Sequence, residues 1–158
     1  MIKEILLLGN PKLYEKSAII QADEVNSLSD VVSDLHDTMM DFRKKYNAGR
    51  AIAAPQIGVR KRLIYMNITK PVVFINPELE FVGNETFDLM DDCLSFPGLL
   101  VKVRRYKHSV IRYKDMDWKD CEMKLEDDLS ELLQHEYDHL EGILATMRAI
   151  DDKSFFMS

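Results

Sequence analysis

An α+β domain is the fold class this sequence predicts, and three observations predict it. Apolar residues recur at helical spacing in two stretches, one towards each end of the chain. Between them lies a series of short segments rich in Val, Ile, Leu, Tyr and Phe, separated by Pro, Gly, Asn and Asp. Helix and strand signals are segregated into runs and do not alternate, which favours α+β over α/β. The chain has 158 residues, no internal repeat, no low-complexity tract and no Pro, Gly or Ser cluster long enough for a linker, so residues 1–158 are expected to form a single domain.

The first helix is predicted from Leu28 to Tyr46, where Leu28, Val31, Val32, Leu35, Met39, Phe42 and Tyr46 form an apolar stripe and Ser27 or Ser29 is available as N-cap. His36 and Met40 flank that stripe, so His36 reads as a boundary residue. Strands are expected at Arg62 to Ile68, Val72 to Asn76, Leu100 to Arg104, His108 to Tyr113 and Cys121 to Leu125. The polar run Asp115 to Asp120 suits a hairpin turn between the last two. From about Asp127 the helical period returns, with Leu129, Leu132, Leu133, Leu140 and Leu144 on one broad face, Asp127 or Asp128 as cap and Gly142 as stop.

Composition narrows the function classes. Hydrophobic residues make up 46% and charged residues 30%, with only six Gly and five Pro, which excludes fibrous, low-complexity and broadly disordered chains. With 27 acidic against 21 basic side chains the formal charge is -6, so neither nucleic acid nor an anionic membrane is an expected partner. No apolar stretch approaches the roughly 18 to 20 residues that a membrane helix needs. The N-terminus carries Glu4 before a short apolar run and has no small-residue cleavage site, so a cytoplasmic location is expected. The two cysteines, Cys93 and Cys121, rule out a framework of disulfides.

Chemistry concentrates in the second helix, which contains His135-Glu136-Tyr137-Asp138-His139. Residues four apart lie about 40° from one another around a helix, so both imidazoles point the same way and can hold one metal ion. Glu136 follows Leu129, Leu132 and Leu133 by seven, four and three residues, which puts a carboxylate on the apolar stripe. That position is costly without a partner. A metal site beside it, and a water whose proton it must take, would give the carboxylate a reason to be there. Zinc endopeptidases with this motif draw a third ligand from downstream. Here the residue six after His139 is Ala145, and no later histidine exists. The third donor must come from upstream, and Cys93, in Asp91-Asp92-Cys93-Leu94-Ser95, is the soft donor in the most suggestive setting; read alone, it would also suit a small core position. One thiolate and two imidazoles leave a fourth position open.

Three segments together resemble the motifs of the peptide deformylases: Gly49-Arg50-Ala51-Ile52-Ala53-Ala54-Pro55-Gln56-Ile57-Gly58, Asp91-Asp92-Cys93-Leu94-Ser95, and Gln134-His135-Glu136-Tyr137-Asp138-His139-Leu140-Glu141-Gly142. With Gly9-Asn10-Pro11-Lys12-Leu13 near the start, the resemblance extends to about Leu144. It implies short, mostly antiparallel sheets wrapped around a central helix that bears the H-E-x-x-H motif. It also implies a metal-dependent hydrolase that removes the N-formyl group from the N-terminal methionine of new polypeptides and releases formate. By the same resemblance Cys93, His135 and His139 are metal ligands and Glu136 is the general base and then acid. Gln56 and the backbone N–H of Leu94 become oxyanion donors, and Asp138 a residue that orients its neighbours. Fe(II) is the native metal implied, with zinc, nickel or cobalt as substitutes, and a formylated peptide or nascent chain is the partner.

The motifs depart from the family in places that bear on substrate. The first usually has two glycines flanking a branched apolar residue, at an edge that receives the substrate backbone and lines the methionine pocket; here those places are Gly49, Arg50 and Ala51. The second usually has Glu-Gly before the cysteine, and here it is Asp91-Asp92, so Asp92 adds a carboxylate close to the site. Gly49, Arg50, Ala51 and Asp92 are therefore the expected substrate-binding residues. Their departure leaves open an alternative, a deformylase-like metalloprotein acting on another formylated or acylated amine or serving only to bind. Many bacterial members continue into a basic C-terminal helix linked to ribosome docking. After Ile150 this chain has only Asp151 to Ser158, with Phe155, Phe156 and Met157, so ribosome association by that route is not expected.

Overall fold

The computed structural model describes residues 1–158. The first long element is helix α1 (Leu28–Tyr46), with the predicted bounds. Its expected serine cap is not made: the Ser27 hydroxyl donates to the Glu24 carbonyl, because a 3-10 turn (Ala22–Ser27) runs straight into the helix. The chain then forms β1 (Ala51–Ala53), β2 (Leu63–Asn67), β3 (Pro71–Phe81), β4 (Thr86–Asp91), β5 (Leu99–Tyr106), β6 (His108–Lys114), β7 (Asp120–Glu126), helix α2 (Asp127–Leu140) and β8 (Phe155–Met157). All strand pairs are antiparallel. They make a five-stranded sheet ordered β1-β2-β3-β6-β7 and a three-stranded sheet ordered β4-β5-β8. The fold is the α+β arrangement expected, with α2 packed on both sheets.

Strand periodicity explains how two helices share one sheet. Alternate side chains of β1 to β3 point to opposite faces. Ile52, Leu63, Tyr65 and Ile75 join Leu28, Leu35, Met39 and Phe42 of α1 in one core. Ala51, Ala53, Ile64, Met66 and Phe74 join Leu132, Leu133 and Leu140 of α2 in another. A third, smaller core gathers Cys93, Phe96, Val101, Val103 and Ala145 behind the three-stranded sheet. At roughly 25 cal/mol per Å² of apolar surface removed from water, these layers supply the main drive for holding α2 between its neighbours.

Several expected boundaries need correction. β3 does not stop at Asn76 but runs on to Phe81: Asn76 takes a positive φ of 49° and the register with β6 shifts between Ile75 and Glu78, so a bulge absorbs Pro77. β4 was not expected, since its Asp88 and Asp91 mask an alternation of Phe87, Leu89 and Asp91 towards the interior. The aspartate cap of α2 is also absent. Glu126 occupies the cap position without a side-chain bond, and Asp127 adopts a φ of 51°. Gly142 does end the helix: its φ is +75°, and a Cβ there would lie 2.5 Å from the Tyr14 carbonyl oxygen. Phe155 to Met157 add to the edge of β5, with their side chains exposed.

Candidate metal centre

Three elements converge on one cluster. The helix α2 carries His135 and His139 one turn apart on the face turned to the interior. The loop after β4 carries Cys93, and the 3-10 turn Ala54–Ile57 carries Gln56. The candidate ligand atoms of Cys93, His135 and His139 all lie within 4.8 Å of one another, and all three residues are buried. Cys93 Sγ is 3.3 Å from His139 Nε2. His135 Nδ1 is 2.9 Å from Asp91 Oδ2, which leaves Nε2 as the nitrogen available to an ion. Three buried polar atoms in this region, Glu136 Oε2, His139 Nδ1 and Arg105 Nε, have no partner in the protein. Buried polar atoms without partners are rare and costly, so the cluster has the donor set and the unmet polarity of a metal site.

The surroundings set its electrostatics. Burial pushes the Glu136 carboxyl up to about 7, so it exchanges a proton near neutrality. Burial also works against ionisation of Asp91, yet the His135 imidazole and the Arg105 guanidinium hold its carboxyl down at about 2. His139 is driven well below the ordinary imidazole range by burial and by the neighbouring His135. A neutral imidazole is the form that ligates metal.

Behind His135 runs a relay that the sequence alone did not disclose. Arg105 donates through Nη2 to Asp91 at 3.0 Å and through Nη1 to Asp138 at 2.9 Å. Asp138 also accepts from Arg148 at 3.1 Å through both of its oxygens. Asp138 thus reaches His135 only through Arg105 and Asp91. A signal for Arg105 was present: it continues the inward positions Val101 and Val103 of β5, where a cation must have buried anions to meet.

Gln56 is fully buried beside Cys93. Its Nε2 donates to Ser95 Oγ at 3.0 Å and approaches Cys93 Sγ at 3.5 Å, while its Oε1 accepts from the Ala53 N–H at 2.9 Å. The Leu94 N–H finds no acceptor within the protein. Gln56 Nε2 thus lies beside the thiol, which is also approached by the Ser95 N–H at 3.5 Å.

The cluster opens into a cleft of about 490 Å³ whose wall includes Arg50, Asp92, Cys93, Leu132, His135 and Glu136. Gly49 sits at its rim with a φ of +122°, and its carbonyl accepts from Arg43 Nε at 2.9 Å. Ala51 opens β1, whose only strand neighbour is β2, so the other edge of β1 is unpaired. Asp92 is exposed on the cleft wall. Arg50 Nη2 lies 2.8 Å from Glu131 Oε1; the arginine side chain is 41% exposed and that of the glutamate only 8%. Glu131 is a second residue that sequence reading passed over. Its position one turn before His135 on the same face was the available clue.

The remaining candidates lie elsewhere. His36 bonds Tyr65 OH at 2.6 Å, His108 stands near Glu85 and Glu126 at the surface, and Cys121 is free at the far hairpin.

Comparison with known proteins finds matches along nearly the whole chain. Residues 2–155 match the polypeptide deformylase family. The chain is 38% identical over 144 residues to a peptide deformylase of Pseudothermotoga lettingae, covering 91% of this chain and 81% of the relative. Among solved structures, the peptide deformylase of Thermotoga maritima superposes with a TM-score of 0.87 at 29% identity, covering 96% of this chain and 99% of that one. The Met-Ala-Ser-bound class I type b peptide deformylase of Acinetobacter baumannii superposes with a TM-score of 0.85 at 27% identity, covering 94% and 98%.

Proposed function

Because the chain belongs to the polypeptide deformylase family, we infer that it is a metal-dependent hydrolase that removes the N-formyl group from N-terminal methionine and releases formate. The single observation of this molecule that supports the reading best is the buried Cys93, His135 and His139 set beside a carboxylate with one partnerless oxygen. Residues 1–158 would work as one catalytic domain, since both long helices pack on the same sheet.

Cys93, His135 and His139 would hold the cation. When bound it would supply Lewis acidity, polarising the formyl oxygen and making a water more acidic. Glu136 takes a proton from the attacking water and returns it to the departing amine, a two-way role open to a buried carboxyl beside the metal ligands. Gln56 Nε2, beside the Cys93 thiol, and the Leu94 N–H, next to Cys93 in the chain, would donate to the oxygen that gains charge as the formyl carbon becomes tetrahedral. Asp91, itself fixed by Arg105, holds His135 in the orientation and tautomer that presents Nε2. The substrate backbone would lie along the unpaired edge of β1, next to Gly49, Arg50 and Ala51, with Asp92 opposite.

Fe(II) is the proposed native ion. The thiolate and imidazole donors also suit zinc, nickel and cobalt. The test is formate release from a formyl-methionyl peptide by protein loaded anaerobically with each of the four metals in turn. Turnover with iron or nickel is expected, and a protein that binds the metals yet releases formate with none of them overturns the reading.

A further inference from the structure

Arg50, paired with the buried Glu131, lines the cleft into which Cys93, His135 and Glu136 open. Glu131 precedes His135 by four residues, so its side chain projects from the same face of α2 one turn further along. A peptide whose formyl carbon sits beside Glu136 has its first side chain only two bonds away from that carbon's nitrogen, which directs it to the adjoining wall. That wall is mixed. Leu132 supplies an apolar surface, and Arg50 supplies a guanidinium.

The guanidinium is anchored but not used up. Glu131, almost wholly buried, takes one hydrogen bond from Nη2 at 2.8 Å, and no other acceptor in the protein engages Arg50. Arginine carries five N–H donors, so Nε and Nη1 keep theirs free, and the side chain lines the cleft with two-fifths of its surface exposed. Asp92 and Asp128 add negative potential around the cation without bonding to it, and so help keep it in place. A free, pre-oriented cationic donor in a partly apolar slot discriminates by hydrogen bonding. A substrate group that accepts a bond from it is favoured over an isostere that leaves the donor unpaired.

Resting on the deformylase reading, we propose that Arg50, held by Glu131, is a specificity-determining residue. It selects formyl peptides whose first side chain is unbranched and carries a hydrogen-bond acceptor near its end. The thioether of methionine qualifies weakly and its sulfoxide strongly, whereas the hydrocarbon isostere norleucine does not qualify. The face of the guanidinium packs the stem of such a side chain while its edge meets the acceptor.

The experiment compares formate release from three peptides that differ only at the first residue, formyl-Met-Ala-Ser, formyl-norleucyl-Ala-Ser and the formyl-methionine sulfoxide analogue. The proteins are wild type, Arg50→Leu, Arg50→Lys and Glu131→Gln. Wild type should prefer methionine to norleucine by about 3- to 10-fold in kcat/KM and should accept the sulfoxide within about tenfold of methionine. Arg50→Leu should bring the methionine-to-norleucine ratio to within about twofold of unity and turn against the sulfoxide by a further factor of about 10. Arg50→Lys, which keeps a donor, should recover part of the sulfoxide acceptance, and Glu131→Gln should fall between wild type and Arg50→Leu. Dissociation constants of the three deformylated product peptides, measured by calorimetry, should follow the same order. A wild type that treats methionine and norleucine alike and rejects the sulfoxide, or an Arg50→Leu variant with wild-type ratios, overturns the assignment of Arg50 while leaving the deformylase reading standing. Absence of formate from all three peptides, with metal bound, defeats that reading itself.

Discussion

The floor and the mouth of the cleft are built on different principles, although one turn of α2 separates His135 from Glu131. On the floor, each anchoring group is buried and held more than once: Asp91 by His135 and Arg105, Asp138 by Arg105 and Arg148, Gln56 by Ala53 and Ser95. At the mouth, Arg50 is half-exposed and rests on one ion pair. Chemistry that needs atoms fixed to within fractions of an ångström sits where a network over-determines position. Selection among substrates needs only a displaced charge, and it sits where a substitution costs the fold little.

That contrast can be broken from either side. The largest effect on the fold is expected from Arg105→Met, which removes the buried cation shared by Asp91 and Asp138 and leaves each with one partner; a loss of about 3 to 5 kcal/mol in urea unfolding is predicted. A loss under about 1 kcal/mol would mean that His135 and Arg148 hold the two carboxylates without help from Arg105. Gln56→Ala, which removes one donor beside Cys93, should lower kcat about 100-fold with little change in KM. An effect confined to KM would remove the glutamine from the oxyanion site. Asp91→Asn keeps the size of the group behind His135 but not its charge, and metal competition titration should show affinity reduced by about 10- to 100-fold. Smallest of all, Arg50→Leu at the mouth should cost about 1 to 2 kcal/mol, since the guanidinium it removes is 41% exposed although the Glu131 carboxylate it leaves behind is buried. A larger loss would make the pair structural and blur the distinction.

How much of this was legible in the sequence also divides along those lines. The α1 bounds, the α2 face and the two imidazoles followed from spacing, because helical period and the four-residue separation of His135 and His139 are local properties, whereas Cys93 came from its setting and the family resemblance. The three-residue β1 and the acidic β4 were not expected as strands. Both owe their form to neighbours distant in sequence, Leu63 to Asn67 for one and Leu99 to Tyr106 for the other. The extension of β3 past Pro77 depended on a bulge that no local propensity announces. Asp91 was visible only as a replacement of one acid by another, and its bond to His135 needed β4 and α2 to meet. Glu131 stood one turn from a recognised ligand, yet its partner Arg50 lies 81 residues away. Caps failed for a related reason: Ser27 and Asp127 were judged by type, while the 3-10 turn before α1 and the left-handed backbone at Asp127 decided their bonds.

Glu136 is the residue on which the chemistry of the floor turns. Glu136→Gln preserves shape while removing the proton acceptor, so metal content and formate release should be measured on the same preparations of wild type and variant. One equivalent of metal in both, with kcat of the variant lower by about 10²- to 10⁴-fold on every formyl peptide, is the expected result. Metal-loaded variant protein that releases formate at the wild-type rate would contradict it.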